Sequence, residues 1–402
     1  MPFASALSLH PDPAHATGEV AGRVLEALGP RPDLAVLFVS PHHVDATADI
    51  AAALRALIDP VVLLGASGVA VIGGDQEVED GPAVSLWAGR LAEAPRPVRI
   101  RAARTPSGTA FGGITADTCG PGEVLVLLAD PFSVPIDDLV EMLASLDPPV
   151  PVVGGAASAA RAPGDNRLVL DGEVVSDGAV GVVLPAAVAT SFVVSQGCRP
   201  VGEPMIVTQA DRNQLIELAG RPALDRVDEL AAAAGPAERV LLADGLHVGV
   251  AVDEHRMTFG PGDFVIRNVL GAVAGSRSVA VADRVPVGTT VQFQVRDADS
   301  ADEELRSLLV RATAEGLADA ALVFTCNGRG SRLFGEPDHD ARQVHAAVRG
   351  DAVAGLFCAG EIGPVGDRSF VHGFTASIVL FNDPTGHPSR DTTGEGTPSA
   401  PH

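Results

Sequence analysis

The chain has no lysine and no tyrosine among its 402 residues, and each absence removes chemistry. Without a lysine amine there is no Schiff base, no phosphate-binding P-loop, no pyridoxal attachment and no kinase-type lysine–glutamate pair. Cysteine is sparse. Cys119, Cys198, Cys326 and Cys358 lie far apart, with no C-x-x-C pair and no Cys/His group at metal-ligand spacing, so no metal is expected. His42 and His43 are adjacent on a loop, where neighbouring side chains point apart. The N-terminus shows no basic segment ahead of an apolar core, and no apolar run reaches membrane-spanning length, which reads as a cytoplasmic protein with reduced thiols. Positive charge is also short. The basic residues number 28 against 51 acidic ones, a net charge of −23, and repulsion from nucleic acid and from anionic membrane excludes both as expected partners.

What is present is a long, apolar, glycine-rich chain. At 402 residues and 46% hydrophobic composition, two domains are the starting expectation. One order of parts recurs three times: an apolar strand, a polar loop, an amphipathic helix, a second apolar strand ending in small residues, and later an antiparallel strand. The first copy runs from Leu34–Val39 through a helix over 45–58 to a strand at 61–64 and the turn Gly65-Ala66-Ser67-Gly68. The second runs from 124–128 through a helix over 136–146 to a strand at 150–153 and the turn at Gly154-Gly155. The third contains Ala321-Leu322-Val323-Phe324-Thr325, a helix beginning near Pro337 and the strand 353–357. The returning strands are expected at 83–87, 179–184 and 374–380. The fold predicted from this is α+β: two packed halves of mixed parallel and antiparallel sheets with outer helices, built from a repeated β-α-β-β unit. A doubly wound parallel sheet is the rival, and the direction of 374–380 decides between them.

The polar information is concentrated in the third copy. Its first strand stops at Cys326-Asn327-Gly328-Arg329-Gly330, where two glycines let the backbone approach a ligand while Asn and Arg supply donors. Its second strand delivers Cys358-Ala359-Gly360-Glu361. If the two strands are parallel neighbours, Asn327, Arg329 and Glu361 face one cavity. Asp338 and Asp340 fall at the positive end of the intervening helix.

These segments, TCNGRG, then CAGEIGP, then VHGFTASIVLF, resemble the C-terminal half of the FIST domain (F-box and intracellular signal transduction). The similarity extends over roughly residues 30–381 and is sharper after Gly235. Two departures stand out: the first-half turn Gly65-Ala66-Ser67-Gly68 lacks the family's cysteine and adjacent acid, and His372-Gly373-Phe374-Thr375 lacks an amide. The resemblance implies a lead-in and helix over 1–30, an N-terminal FIST domain with its junction over 31–234 and a C-terminal FIST domain over 235–382. Residues 383–402, rich in Pro, Gly, Ser and Thr, read as a disordered tail that holds His387 and His402. The resemblance further implies a sensory module that binds a small molecule such as an amino acid, passing its signal to an unidentified protein partner. No reaction and no cofactor are implied.

The ligand-binding candidates are therefore Asn327, Gly328, Arg329, Gly360, Glu361, Ser67, Arg267, Arg296 and His372. Arg329, with Arg267 and Arg296 as companions, would hold an anion and Glu361 an amine, although Arg329 and Glu361 could instead pair with each other. Cys326 directly follows an apolar strand, where burial as a small hydrophobe competes with the role of a reactive thiol. His372 has no visible partner and fits a satisfied structural histidine as well as a ligand contact. Two other functions remain in view: a cysteine-dependent enzyme using Cys326 with His372 as base, and a protein-interaction scaffold.

Overall fold

Leu34–Val39, Val124–Ala129 and Ala320–Cys326 are apolar at nearly every position, and every residue of all three is buried. Strands of this kind need cover on both faces, and the fold supplies it three times over. In the computed structural model, which describes residues 2–106, 108–256, 258–260 and 262–382, each strand is followed by a crossover and a parallel neighbour: Val62–Ser67, Val152–Ala156 and Val353–Cys358 respectively. The crossovers contain the helices Thr47–Ile58, Ile136–Ala144 and His339–Ala346. On its other side each first strand pairs with an antiparallel closing strand, Val84–Gly89, Ala179–Leu184 or Thr375–Asn382. Thr375–Asn382 thus runs against Ala320–Cys326, and the doubly wound alternative falls. Outside the closing strands lie antiparallel strands at Phe3–Ser8, Arg96–Thr105 and Ala189–Gln196, the first and last at sheet edges and the second followed by Gly108–Gly112.

The three units exchange hairpins. The hairpin of the first unit (Val71–Gly73, Gln76–Val78) adds to the second parallel strand of the third unit. That of the second unit (Leu168–Leu170, Glu173–Val175) adds to the first unit. That of the third (Glu361–Val365, Arg368–His372) adds to the second. The exchange closes into a ring with pseudo-threefold order. Backbone bonds repeat around it: Ser67 donates its N–H to Arg167 O at 2.9 Å, Ala156 to Gly360 O at 2.8 Å and Phe357 to Ala70 O at 3.0 Å.

The inner faces of the three sheets share one core, with Val36, Phe38, Val126, Leu128, Leu322 and Phe324 drawn from all three first strands. The outer faces are covered separately. Helices Pro13–Leu28 and Thr47–Ile58 cover the first unit, Ile136–Ala144 the second, and Ala298–Ala312 with His339–Ala346 the third. Mixed sheets with outer helices are thus as expected, while several boundaries move. The lead-in is an edge strand, Phe3–Ser8, because its alternating apolar residues close the first sheet. The strand placed at 61–64 continues to Ser67, and the helix placed at Pro337 begins at His339, after a separate short helix at Ser331–Phe334.

Between the third unit's edge strand and its helix Ala298–Ala312 the chain makes a fourth sheet. It comprises Cys198–Asp211, Gln214–Leu218, Arg221–Pro222, Leu246–Ala251, Phe264–Ala272, Val279–Val281 and Thr290–Arg296, with its own core around Val201, Val248, Val291 and Phe293. It meets the third unit through Cys198, Phe264 and Phe374. No helix among the described residues is long and apolar enough to cross a membrane. The expected disordered tail, 383–402, lies outside the described residues.

Candidate functional site at the seam between the third unit and the inserted sheet

Pairing Ala320–Cys326 with Val353–Cys358 brings Cys326 opposite Cys358, so the two motif turns emerge side by side, and Asn327 N–H donates to Cys358 O at 2.9 Å. Arg329 then turns inward. Its side chain is completely buried, with Nε 2.7 Å from Asp340 Oδ2 and Nη2 2.9 Å from Asp340 Oδ1, a bidentate pair. Asp340 also accepts from Thr325 Oγ1 at 2.7 Å and meets His339 Nδ1 at 3.1 Å. Burial pushes the Asp340 pKa up, but the Arg329 charge and these hydrogen bonds override it and hold the carboxyl well below its usual range. Glu361 is not the partner of Arg329. It is wholly buried, Oε2 accepts Thr375 N–H at 3.1 Å, and Oε1 has no partner beyond the neighbouring Cys326 thiol. Burial drives its pKa well above the ordinary carboxylate value and favours the uncharged acid.

Phe374 is the hub of the seam. It holds φ = 61°, a left-handed conformation that costs a bulky residue strain of roughly 1–3 kcal/mol. Its carbonyl accepts Gly197 N–H at 2.8 Å and Arg329 Nη1 at 3.4 Å. Its ring lies 4.5 Å from the His247 ring and 4.8 Å from the Arg296 guanidinium. Gly328 fits beneath it, since a Cβ there would stand 3.3 Å from the ring. Arg296 donates Nη2 to Gly328 O at 2.5 Å, while its Nε is buried without a partner. His247 is 6% exposed, and neither ring nitrogen makes a hydrogen bond of good geometry, although Asn268 stands opposite in the strand pair. Burial, reinforced by Arg296, lowers its pKa to about 4, so the ring is neutral at pH 7. Nearby Glu304 accepts from Ser195 Oγ at 3.1 Å and is raised to about 7 by burial.

The remaining sequence candidates occupy other positions. Asn327 is exposed at the rim. Ser67 is buried at the junction of units, its hydroxyl accepting Arg167 N–H at 2.9 Å, and the Ser158 hydroxyl links Val69 N–H to Phe357 O nearby. The small-residue turns are thus bonded to one another where the units join. Gly360 serves the bond to Ala156, and Arg267, paired with Asp283 of its own sheet (2.5 Å), clips the inserted sheet to the third and second units through Val371 O (2.7 Å) and Asp137 (3.4 Å). His372 Nε2 lies 3.0 Å from Gly363 O and its Nδ1 is unpartnered; burial lowers its pKa to about 4. Cys326 is 7% exposed, and burial, with Glu361 beside it, pushes its thiol up to about 12. Sequence reasoning singled out neither His247 nor Glu304 and treated Asp340 only as a dipole partner. His247 does carry a signal, a lone imidazole within the apolar run Leu246–Ala251.

A ring of three exchanged β-α-β units with one inserted sheet, and a buried polar seam where the insert meets the third unit, defines the class of this protein. The FIST N domain matches residues 33–221 and the FIST C domain residues 223–364, and the chain belongs to the FIST family. It is 45% identical over 378 residues to the uncharacterized protein Mb0898c of Mycobacterium bovis, covering 93% of this chain and 97% of that one. It is 44% identical over 382 residues to the uncharacterized protein MT0656 of Mycobacterium tuberculosis, covering 94% and 98%. FIST domains are associated with signal transduction and with sensory ligand binding.

Proposed function

We propose that this protein is a sensory module whose seam binds an amino acid or a similar small polar anion and reports it to a protein partner. The observation that carries this reading is the under-bonded polar set around Phe374: Arg296 Nε is buried without a partner, the His247 ring is approached by Asn268 without a hydrogen bond of good geometry, and Glu361 Oε1 has only the Cys326 thiol beside it. Buried polar groups are satisfied in the great majority of cases, and a cluster of exceptions marks a place where a ligand completes the bonding. The charge state sets the ligand's sign. Asp340 cancels Arg329, burial favours the uncharged form of Glu361, His247 is neutral, and Arg296 makes no ion pair among the described residues. Arg296 therefore faces the anion. Arg329, held by Asp340, positions the Phe374 carbonyl, and Asn327 and Gly328 form the rim. Glu361 Oε1 is the acceptor for an amine N–H. Ser67, Gly360, Arg267 and His372 lie outside the binding set in this reading and hold the units together.

The reading disfavours cysteine catalysis, since a thiol with a pKa near 12 carries almost no thiolate at neutral pH. The purified native protein is to be examined by intact mass and metabolite extraction. A co-purifying small acid supports the assignment; rapid labelling of Cys326 by iodoacetamide in the native protein contradicts it and favours the enzyme.

A further inference from the structure

The loop between strand Phe3–Ser8 and helix Pro13–Leu28 gathers donors that the seam does not use. It reads His10-Pro11-Asp12-Pro13-Ala14-His15. Asp12 caps the helix, its Oδ1 accepting His15 N–H at 2.9 Å, and this brings the His15 ring back beside the loop. One ring nitrogen of His10, one carboxylate oxygen of Asp12 and one ring nitrogen of His15 lie within 4.8 Å of one another, and the two imidazole centres are 4.7 Å apart. Prolines on both sides of Asp12 fix their own φ, and the buried His43 steadies the loop through Nε2, 3.1 Å from His10 O. The donors are open to solvent, the Asp12 side chain at 54% exposure and His15 at 74%.

Their spacing fits a metal ion. Bonds from a zinc-like ion to imidazole nitrogen and carboxylate oxygen are about 2.0–2.2 Å, so two donors on one ion stand roughly 3.0–3.4 Å apart. His15 Nδ1 and Asp12 Oδ1 are 3.2 Å apart. That contact is exposed and depends on a shared proton, whose place an ion can take. His10 Nδ1 accepts Asp12 N–H at 3.0 Å, a second exposed bond, and rotation of the ring carries its nitrogen to the ion. The sign of the charge is also right. Hydrogen bonding to His15 N–H lowers the Asp12 pKa, so its carboxylate is ionised at neutral pH, and a net charge of −23 draws cations to the surface.

We propose that His10, Asp12 and His15 form a two-histidine, one-carboxylate site for a divalent transition-metal ion of the Zn²⁺ type, with water completing its coordination. Two imidazoles select such an ion over Ca²⁺ and Mg²⁺, which take oxygen donors. No metal was expected from cysteine and histidine spacing, a pattern that leaves out a carboxylate set between two histidines.

Calorimetric titration of the untagged, EDTA-treated full chain with zinc chloride at neutral pH should show one ion per chain. His10→Ala and His15→Ala should each weaken binding at least tenfold, and Asp12→Asn, which keeps the helix cap, should weaken it as well. His255→Ala, an exposed histidine in the inserted part of the chain, should change nothing. Cu²⁺ should bind more tightly than Zn²⁺, and its electron paramagnetic resonance spectrum should show coupling to two imidazole nitrogens, falling to one in His15→Ala. Absence of one-to-one binding, or zinc binding by both histidine variants as tight as that of the wild type, overturns the proposal. A two-nitrogen copper spectrum that survives in His15→Ala overturns it too.

Discussion

Taking a guanidinium and a carboxylate out of water costs several kcal/mol for each ion, and the Arg329–Asp340 pair recovers this only because the contact is bidentate and Thr325 and His339 serve the remaining lone pairs. Arg329→Ala would strand a fully buried carboxylate and is expected to destabilise the fold by about 3–5 kcal/mol, read as a lower midpoint in urea unfolding. An unchanged midpoint would mean that water reaches Asp340. Glu304 behaves in the opposite sense. Burial raises its pKa from 4.5 to about 7, so the native state holds a proton that the unfolded state has released, and its contribution to stability falls as pH rises from about 4.5 to 7. Glu304→Gln removes that titration, so the melting temperature of the variant relative to the wild type should climb between pH 5 and pH 8; a difference that is flat with pH would show a solvated carboxylate. Arg329 and Glu361 were legible in the sequence because polar residues in glycine turns after apolar strands rarely serve packing alone. Their environments were not. Asp340 in a helix's first turn looks the same whether it faces solvent or a buried arginine, and nothing in the string announces that Phe374, rather than Gly373, takes φ = 61°.

At the scale of elements, the three-fold recurrence of strand, helix and strand could be read directly from apolar runs and small-residue turns, and the closing strands ran in the expected direction. The hairpin exchange could not, because a three-residue strand such as Val71–Gly73 pairs equally well with any exposed edge, and the choice is made by packing at the junction. That packing is specific. The hairpin of the first unit is fixed on the third by Glu77, whose Oε1 accepts Ala341 N–H at 3.0 Å, and by Asp338 Oδ1, which accepts Glu77 N–H at 2.7 Å. Where the third unit's hairpin meets the second unit, Gly155 has no room for a side chain: a Cβ would stand 2.3 Å from Cys358 Sγ. Gly155→Ala is therefore expected to cost about 1–3 kcal/mol through overpacking, measured by thermal or urea unfolding. A neutral result would mean that the junction is looser than the hairpin exchange requires.

Across the whole molecule, the exchanged hairpins and the shared core leave no unit whose sheet is complete by itself. Trp87, the only tryptophan, sits fully buried in that core, packed in tilted ring contacts against Phe3 and Phe381 and donating Nε1–H to Ala352 O of the third unit at 3.2 Å. Its fluorescence should therefore change in the same transition as the far-ultraviolet circular dichroism of the three-unit ring, and two separated transitions would contradict the ring's cooperativity. The inserted sheet has its own core and is tied to the ring through the seam, so a ligand bound there would stabilise the attachment of one body to the other. Acidity over the rest of the surface, at a net charge of −23, makes a partly buried arginine without a carboxylate partner a local exception and the natural place for an anion.

The central claim is that Arg296 at the seam holds that anion. The most direct measurement is a thermal-shift titration with a panel of amino acids and small carboxylates, run in parallel on the wild type, Arg296→Ala and Arg349→Ala, the last removing a half-exposed arginine far from Phe374 in sequence. The account predicts that at least one compound stabilises the wild type and Arg349→Ala alike, and that Arg296→Ala binds it about ten- to a hundred-fold more weakly, the loss of a charged hydrogen bond in a dry site. Equal stabilisation of Arg296→Ala and wild type by the same compound would contradict it.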